Sequence, residues 1–395
     1  MRRLGDLATK IQDGTHFSPS SKTGPFRYLT SQNVRLGYLD LSKSGWISAA
    51  EHGQIYRRCD PQRGDLLLTK DGANTGNVAL NTLNEQFSLL SSVAMIRFDE
   101  ARAHPSFFLQ YLASPEGQAR LKDQVSGNAI TRLTLAKIRN FVVPAPPTRV
   151  QRQIAEVLNS VDESIRSTER AIAKLGRTSS AMLADLLRAG DGWRRLRLRE
   201  LLAGAPKNGY SPREAETPTG TLMLGLGCLT PRGFVPRQLK HAPSGDSALR
   251  RAILVDGDLL MSRANTRELV GLVGRYKSVG FPCIYPDLMM RLTPTNEMRA
   301  AFLELILRSP SVRKQIQAYA VGTSESMVKI SAAVVLNLRV AVPCLEEQDR
   351  IVATFLRCDA QLNALTQKQE KLQRVKRGLM EDLLTGRVRL PVERT

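Results

Sequence analysis

The side chains of this chain that are suited to chemistry are short polar and basic groups at the ends of predicted strands. Asn and Gln can hydrogen-bond adenine at two atoms, and Arg can do the same with guanine. In the first half the candidates are Thr15, His16, Ser31, Gln32, Asn33, Lys70, Asn74, Thr75 and Asn128. In the second half they are Lys207, Arg232, Arg263, Asn265, Arg267, Thr323 and Ser324. Any one of these segments is also typical of an ordinary turn, so it is their recurrence in both halves that favours contact with nucleic acid.

Catalytic and cofactor-binding signatures are missing from the sequence. The two glycines at Gly225 lack the third glycine and the later acidic residue of a dinucleotide site, and no phosphate-binding GxxxxGK[ST] run occurs. Asp287 and Glu297 resemble part of a nuclease motif, but Arg299 stands where a lysine is expected. The five cysteines are scattered without CxxC spacing, which argues against disulfides and zinc. We therefore expect a binding protein without a metal or cofactor of its own.

Strands and one short helix are expected to position the candidates. In residues 1–147 strands are predicted at FRYLTSQNV, GDLLLTK, FSLLSSVAMIRF and IRNFVVPAP, and a helix is predicted at 107–125. Residues 191–343 follow the same order, since GDLLMSRAN answers GDLLLTKDGAN and VLNLRVAVP answers IRNFVVPAP. The run WRRLRLRE from Trp193 alternates apolar residues with Arg, which predicts a strand with one solvated face. The connecting loops differ, as expected of two binding domains with different targets.

The C-terminal part of the chain repeats its middle at a constant offset of 197 residues. VVPAPPTRVQRQIAEVLNSVDESI aligns with RVAVPCLEEQDRIVATFLRCDAQL, so that Pro146 maps onto Pro343 and Gln151 onto Gln348. A long duplicated segment indicates two units of the same kind in one chain.

Both repeated segments have apolar residues in alternating steps of four and three, which is the period of a coiled-coil seam. The residues expected to pair the helices are Gln151, Ile154, Leu158, Val161 and Ile165 in the first copy and Gln348, Ile351, Phe355 and Leu362 in the second. Each helix is predicted to run for about 35–40 residues, or roughly 55–60 Å. Two such stripes favour an antiparallel pair, and the alternative is that each helix packs on its own globular domain.

Charge is distributed unevenly along the chain. The net charge of +20 attracts polyanions, chiefly nucleic acid. Residues 1–147 carry +6 and 189–345 carry +10, whereas the repeats at 148–188 and 346–388 carry only +2 and +1. A length of 395 residues indicates two or three globular domains. Because no apolar run could span a membrane and no signal peptide begins the chain, we expect a cytoplasmic location.

Taken together, these segments resemble the specificity subunits of type I restriction–modification enzymes. PCLEEQDRIVATFLRCDAQL and GLMEDLLTG, between Pro343 and Leu384, are similar to the family's C-terminal conserved helix. PPTRVQRQIAEVLNSVDESI is similar to the central conserved helix, and GDLLMSRANTRELVG is typical of the second recognition domain. The resemblance covers nearly the whole chain.

The resemblance implies a duplicated fold of α+β, or mixed α/β, target-recognition domains, separated by two long antiparallel coiled-coil helices with pseudo-two-fold symmetry. The implied boundaries are 1–147 for the first recognition domain, 148–190 for the central spacer helix, 191–343 for the second recognition domain and 344–395 for the C-terminal spacer helix and tail. Each recognition domain would read one half of a bipartite DNA target, and the helices would set the spacing.

The resemblance also implies a subunit without activity of its own. It would bind double-stranded DNA and two adenine-N6 methyltransferase subunits, and restriction subunits with endonuclease and translocase activity would complete the complex. S-adenosylmethionine would belong to the methyltransferase subunit and not to this chain. The alternative interpretation is a non-DNA adaptor or scaffold that dimerises through its coiled coil, but this does not predict positive charge concentrated outside the helices.

Overall fold

The computed structural model describes residues 1–124, 132–322 and 327–389. The candidates Asn128, Thr323 and Ser324 lie outside the described residues. The chain divides into two compact units. Unit 1 contains residues 1–170 and 366–395, and unit 2 contains residues 171–365.

Unit 1 contains two main sheets with short helices beside them. Its strands are β1 (Arg2–Arg3), β2 (Ala8–Asp13), β3 (Phe26–Leu29), β4 (Val34–Arg35), β5 (Tyr38–Leu39), β6 (Gly45–Ile47), β7 (Leu66–Thr69), β8 (Val78–Leu80), β9 (Phe87–Leu89), β10 (Val93–Phe98) and β11 (Val142–Val143). Its short helices are α1 (Leu4–Leu7), α2 (Ala49–Tyr56), α3 (Pro105–Ala113), α4 (Pro115–Asp123) and α5 (Leu135–Asn140). One sheet is antiparallel with the order β2-β10-β7-β8, and the other has the order β6-β3-β9 with β3 and β9 parallel.

Strand β7 lies between two layers, which explains its unbroken apolar sequence. Leu66 and Leu68 belong to the core cluster that includes helix α3. Leu67, from the other face of the strand, belongs to the cluster that includes Phe87 and Leu89 of the second sheet. Successive side chains of a strand point to opposite faces, so a strand covered on both faces needs apolar residues at every position.

The predicted helix at 107–125 is in fact two helices, α3 and α4. The break falls at Ser114, because a residue before proline is disfavoured in helical conformation and Pro115 suits the first turn of a new helix. The Ser114 Oγ accepts a hydrogen bond from the amide of Gly117 at 3.1 Å and caps α4. The beginning of the predicted strand IRNFVVPAP is also helical, because Thr134 caps α5 in the same way through the amide of Lys137.

Unit 2 repeats the topology of unit 1. Its strands are β12 (Arg194–Arg197), β13 (Lys207–Asn208), β14 (Leu222–Leu224), β15 (Leu229–Thr230), β16 (Gly233–Phe234), β17 (Leu239–His241), β18 (Leu259–Ser262), β19 (Ala264–Asn265), β20 (Val273–Arg275), β21 (Cys283–Ile284), β22 (Met289–Leu292), β23 (Val328–Lys329) and β24 (Arg339–Val342). Its short helices are α7 (Ala300–Arg308), α8 (Pro310–Tyr319) and α9 (Ala332–Asn337), with 3-10 turns at Leu198–Glu200, Leu226–Cys228 and Ser247–Ala252. The sheet β13-β22-β18-β20 corresponds to β2-β10-β7-β8, and β17-β14-β21 corresponds to β6-β3-β9, again with one parallel pair. The duplicated α+β fold predicted from the sequence is confirmed.

The repeated segments are long helices, labelled α6 (Thr148–Leu186, 39 residues) and α10 (Leu345–Leu384, 40 residues). Within unit 1 the Nζ of Lys376 lies 2.6 Å from the Oδ1 of Asp162, and Gln369 donates a hydrogen bond to Glu169 at 3.0 Å. Residue numbers rise along one helix as they fall along the other, so this pair is antiparallel. Within unit 2, Leu183 of α6 joins the core cluster that contains Ile351 and Phe355 of α10.

Candidate nucleic-acid interface

Four candidate segments of unit 1 meet around the turn at residues 90–92, between β9 and β10. The carbonyl of Thr15 accepts a hydrogen bond from an amide of this turn at 2.7 Å, and the amide of Lys70 donates to a carbonyl of the turn at 2.8 Å. The amide of Ser31 donates to a serine hydroxyl of the turn at 3.2 Å. Asn74 Nδ2 donates to the carbonyl of Ser31 at 3.3 Å. Segments that lie far apart in sequence therefore form one polar surface.

Lys70 lies beneath this surface. Its side chain is 2% exposed, and its Nζ lies 2.7 Å from the Oδ2 of Asp71 and 3.6 Å from the Oδ2 of Asp13. The Nε of Arg132 lies 3.3 Å from the other carboxylate oxygen of Asp71. A buried ammonium group needs such partners because its desolvation is costly. These contacts favour a structural role for Lys70 in holding the loops together.

The carboxylate of Asp13 also contacts the side chains of Arg58 and His16. The Nη2 of Arg58 donates to its Oδ1 at 2.9 Å, and the Nε2 of His16 lies 3.5 Å from its Oδ2. The side chains of Arg58 and His16 are about half exposed, at 50% and 52%. They therefore remain accessible to a ligand while the carboxylate between them is buried.

The remaining candidates of unit 1 divide into exposed and internal residues. Asn33 is 1% exposed; its Oδ1 accepts from the amide of Thr30 at 2.9 Å and its Nδ2 donates to the carbonyl of Asp40 at 3.0 Å. Both ends of this amide are occupied within the fold, so it shapes the loop. Gln32, the residue before it, is exposed. Thr75 donates its hydroxyl to the carbonyl of Gly72 at 2.6 Å, which closes the glycine loop.

Two arginine candidates of unit 2 are engaged by the protein. Arg267 Nη1 donates to the carbonyls of Gln317 and Ala320, at 3.0 and 3.3 Å, at the C-terminal end of α8. A cation is favourable there because the last carbonyls of a helix carry partial negative charge. Arg232 Nη2 donates to the Oδ1 atoms of Asp359 and Asn363 on α10, at 3.3 and 3.0 Å. These contacts favour positioning roles for both arginines.

The other candidates of unit 2 face outward or are half-buried. Lys207 is exposed, and Arg263 and Asn265 are half-buried. The Oδ1 of Asn265 accepts from the amide of Thr266 at 2.9 Å. Within the part of the chain that the structure describes, the Arg263 guanidinium has no hydrogen-bond or ion-pair partner.

The sequence prediction included Lys207 but did not identify the loop that follows it, which corresponds to the Asp13 loop of unit 1. Asp13 pairs with Ala94 of β10, and Asn208 pairs with Met290 at the matching position of β22. The glycine after each is obligatory, because a Cβ at Gly14 would lie 1.9 Å from the carbonyl oxygen of Leu89. A Cβ at Gly209 would lie 2.0 Å from the corresponding oxygen of Tyr285. The common Asp/Asn-Gly pair was the available signal.

Gln151 and Gln348 anchor globular segments to helices, which differs from the helix-pairing role expected of them. Gln151 Oε1 accepts from the amide of His104 at 2.8 Å, and its Nε2 donates to the carbonyls of Arg102 and Pro146 at 3.1 and 2.8 Å. Both glutamines are 0% exposed.

Gln348 makes the same three hydrogen bonds in unit 2. Its Oε1 accepts from the amide of Arg299 at 2.9 Å, and its Nε2 donates to the carbonyls of Glu297 and Pro343, both at 3.1 Å. We call each three-bond arrangement a glutamine clasp. The clasp ties the first turn of the long helix to the segment that precedes α3 or α7.

The apolar pairing candidates also divide by their position along the helices. Ile154 and Leu158 lie in the core cluster of unit 1 together with Leu383 of α10. Ile351 and Phe355 lie in the core cluster of unit 2. The candidates beyond them, Val161, Ile165 and Leu362, are half-buried. The first turns of each helix thus pack on a globular segment, and the later turns are less buried. Packing on a globular domain and pairing of the helices, the two alternatives drawn from the heptad pattern, therefore both occur along one helix.

Burial shifts the pKa values of two cysteines and one histidine of the interior. Burial raises the pKa of the Cys59 thiol to about 12 and that of Cys283 to about 11, so both remain protonated at neutral pH. Burial lowers the pKa of His52, which stacks on Phe26 with 3.7 Å between ring centroids. Among the described residues no group of three or more His, Cys, Asp or Glu is placed to hold a metal ion. Over those same residues, no helix combines the length and hydropathy needed to cross a membrane.

Comparison with known proteins shows which proteins the chain is similar to. Residues 1–177 match the family model described as type I restriction modification DNA specificity domain. The chain is 23% identical over 353 residues to the type I restriction enzyme MjaVIII specificity subunit of Methanocaldococcus jannaschii, which covers 82% of this chain and 79% of the relative. It is 25% identical over 264 residues to the type I restriction enzyme EcoKI specificity subunit of Escherichia coli K12. The match covers 62% of this chain and 56% of that relative.

Two solved structures share the fold over nearly the full length. The specificity subunit of the type I restriction–modification system of M. genitalium has a TM-score of 0.62 and 13% identity, with 97% of this chain and 95% of that chain covered. The second structure concerns complex assembly and conformational transition of the type I R-M system. One of its chains has a TM-score of 0.56 and 18% identity, and the match covers 98% of this chain and 97% of that chain. The predicted resemblance is confirmed: residues 1–177 match the specificity-domain model, and the chain is similar over most of its length to a type I specificity subunit.

Proposed function

We propose that this chain is the DNA sequence-recognition subunit of a type I restriction–modification complex, in which each unit reads one half of a bipartite target. The observation that carries the proposal is a duplicated scaffold with diverged loops. Lys70 and Arg263 follow corresponding strands, as do Asp71 and Ala264, yet their side chains and contacts differ. Two equal scaffolds with unequal polar surfaces suit two different half-sites.

The long helices are proposed to set the spacing between the half-sites. Helices of 39 and 40 residues are about 60 Å long at 1.5 Å per residue. Half-sites about one helical turn apart, roughly 34–36 Å, would face the same side of the duplex. The glutamine clasps support this proposal, because in each a fully buried glutamine fixes the start of a helix to its globular segment by three hydrogen bonds.

Catalysis is proposed to reside in partner subunits. Two methyltransferase subunits would bind S-adenosylmethionine and methylate adenine at N6, and endonuclease subunits with translocase activity would restrict unmodified DNA. This chain would contribute no catalytic group. A cytoplasmic location goes with the proposal, because the target is chromosomal or invading DNA.

The test is to co-express the chain with its methyltransferase partner and to map N6-methyladenine across the host genome. We expect methylation at a two-part sequence with a fixed gap. Inserting four residues, about one turn, into α6 and into α10 should widen the gap and leave both half-sites unchanged. Altered half-sites with an unchanged gap would contradict the spacing role.

A gel-shift series in rising salt separates this function from that of an adaptor. Each phosphate neutralised by the protein releases counterions, so DNA binding should weaken steeply as salt rises. An adaptor that dimerises through its helices would show no duplex binding at any salt concentration.

A further inference from the structure

Two pairs of cations occupy corresponding positions in the two units. Lys70 and Arg263 both follow the central strand of the larger sheet, and their carbonyls accept from the amides of Leu133 and Ile330 at 2.7 and 2.9 Å. Beside them, the bridge between Asp71 and Arg132 corresponds to the pairing of Ala264 with Lys329. Arg132 therefore corresponds to Lys329, as Lys70 corresponds to Arg263.

The two carboxylates that accompany the cations of unit 1 are absent from the corresponding positions among the described residues of unit 2. Asp13 and Asp71 lie within 3.6 Å of Lys70, and Asp71 also pairs with Arg132. The residues at the two acidic positions in unit 2 are Asn208 and Ala264. The cations persist while both of their counter-charges are replaced by neutral residues.

The two cations of unit 2 consequently meet no carboxylate in the described parts of the chain. Lys329 is exposed, and Arg263 is half-buried without a side-chain hydrogen bond to any described residue. Arg263 and Lys329 are also neighbours, since the residue after Lys329 donates its amide to the carbonyl of Arg263. The corresponding cations of unit 1, Lys70 and Arg132, both contact Asp71 at 2.7 and 3.3 Å, so cations at these two positions can share one anionic group.

We propose that Arg263 and Lys329 form a binding site for the phosphate backbone of DNA, so that unit 2 supplies ionic contacts that the corresponding cations of unit 1 cannot make. The inference rests on the proposed function and adds a residue, Lys329, that the sequence did not indicate. Lys70 and Arg132 are already neutralised by Asp71 and Asp13. No carboxylate among the described residues neutralises Arg263 or Lys329, which leaves their charges to a polyanion.

The test introduces aspartates into unit 2 at the positions that correspond to Asp13 and Asp71 of unit 1. In the full-length chain, Asn208→Asp should neutralise Arg263 and Ala264→Asp should neutralise Lys329. Binding to a mixed-sequence duplex of about 40 base pairs is followed by fluorescence anisotropy across a salt series. Each neutralised phosphate contributes about 0.9 to the slope of log K against log salt, so the double variant should reduce the slope by about 2.

Two controls make the outcome specific. Ala264→Asn adds similar bulk without charge and should leave the slope unchanged. Emission from Trp193, which lies 6.1 Å from the Phe302 ring, should show a cooperative melt above the assay temperature in every variant, which checks folding because Ala264 is 0% exposed. A slope that stays at the wild-type value in a folded double variant would overturn the inference.

Two further outcomes separate this inference from the proposed function. Wild-type protein that shows no salt-dependent duplex binding would overturn both. Loss of affinity that is confined to one of two duplexes of different sequence would identify a base contact and overturn the phosphate assignment, while leaving the proposed function in place. Equal loss on both duplexes supports the phosphate site.

Discussion

Lys70 in unit 1 and Arg263 in unit 2 follow corresponding strands, yet their surroundings are opposite. Lys70 is 2% exposed and is held between Asp13 and Asp71. Arg263 is half-buried, and the structure describes no carboxylate paired with it. The glutamine clasps differ far less, since Gln151 and Gln348 make the same three hydrogen bonds with lengths between 2.8 and 3.1 Å.

This contrast separates the parts of a duplicated fold that can diverge from those that cannot. A buried amide must satisfy every hydrogen-bonding group around it, so changing one clasp residue leaves backbone groups without partners. A cation at the surface tolerates exchange of its counter-ion, because water or a ligand can solvate it. In this chain the clasps are the same in both units, whereas the carboxylates around Lys70 are not found around Arg263 among the described residues.

The largest expected effect tests the similarity of the clasps. Gln151→Leu or Gln348→Leu leaves one amide and two carbonyls, most of them partly buried, without their glutamine partner, and each such group costs about 1–3 kcal/mol when water cannot replace that partner. We expect the free energy of unfolding of the affected unit to fall by about 4 kcal/mol. The two tryptophans report on the units separately: Trp46 lies in unit 1 and Trp193 in unit 2.

The matched control for the clasps is Gln32→Leu, which changes an exposed glutamine and should alter stability by less than about 0.5 kcal/mol. If one clasp variant unfolds its unit and the other has no effect, the two clasps are not equivalent. That result would contradict the inference that Gln151 and Gln348 have the same role in the two units.

The next effect tests the difference between the two cations. Lys70→Met leaves the carboxylates of Asp13 and Asp71 without their buried partner and should destabilise unit 1 by about 3 kcal/mol. Arg263→Met removes a cation that has no partner among the described residues, so unit 2 should retain its stability to within about 0.5 kcal/mol. Denaturant unfolding followed by tryptophan emission checks both. Equal destabilisation of the two units would show that Arg263 has a structural role like that of Lys70.

A smaller effect concerns the glycines of the corresponding loops. Gly14→Ala and Gly209→Ala would place a Cβ about 2 Å from a backbone carbonyl oxygen in each unit. Because backbone must move to make room, we expect each to destabilise its own unit by about 1–3 kcal/mol. Gly53→Ala is the control: it lies inside helix α2 with no atom within 4 Å of the added Cβ. It should stabilise unit 1 by up to about 1 kcal/mol. A tolerated Gly14→Ala would show that the loop is free to shift.

The smallest effect is a difference in acid sensitivity between the units. Burial lowers the pKa of His52 in the folded state, so protons bind the unfolded state more readily. The stability of unit 1 should therefore decline as pH falls below the unfolded pKa of about 6.5 and continue to decline towards the lowered folded value. The corresponding 3-10 turn of unit 2, Ser247–Ala252, has no histidine.

Thermal melts between pH 7.5 and pH 5.5, followed by Trp46 and Trp193, measure this difference. His52→Gln should remove part of the decline in unit 1. The remainder belongs to His104, whose pKa is also lowered by burial. A decline of the same size in both units would assign the acid sensitivity to other groups.

Part of the fold and of the site followed from sequence pattern alone. The apolar runs at GDLLLT and GDLLMS predicted buried strands, and β7 and β18 have four buried residues each. The heptad steps predicted helices of about the observed length. The helix at 107–125 was predicted without its break, because the apolar periodicity continues across Ser114 and hides the cap and the proline.

The roles of single polar residues did not follow from sequence pattern. Asn33 and Gln32 are adjacent and similar in chemistry, yet one is internal and the other exposed. Gln151 lies at the start of a heptad stripe but bonds to the backbone of His104 and Arg102 instead of the facing helix. These roles depend on which distant groups the fold brings within hydrogen-bonding distance, which local periodicity does not encode.

Duplication, helix length and the excess of positive charge outside the helices were properties of the sequence by itself, because each is a matter of repetition, spacing or composition along one dimension. Tertiary structure alone decided that Lys70 is neutralised, whereas Arg263 meets no carboxylate in residues 1–124, 132–322 and 327–389. The charge state of a cation's surroundings depends on residues from other strands, and for Lys70 the nearest long-range partner, Asp13, is contributed by β2, more than fifty residues earlier in the chain.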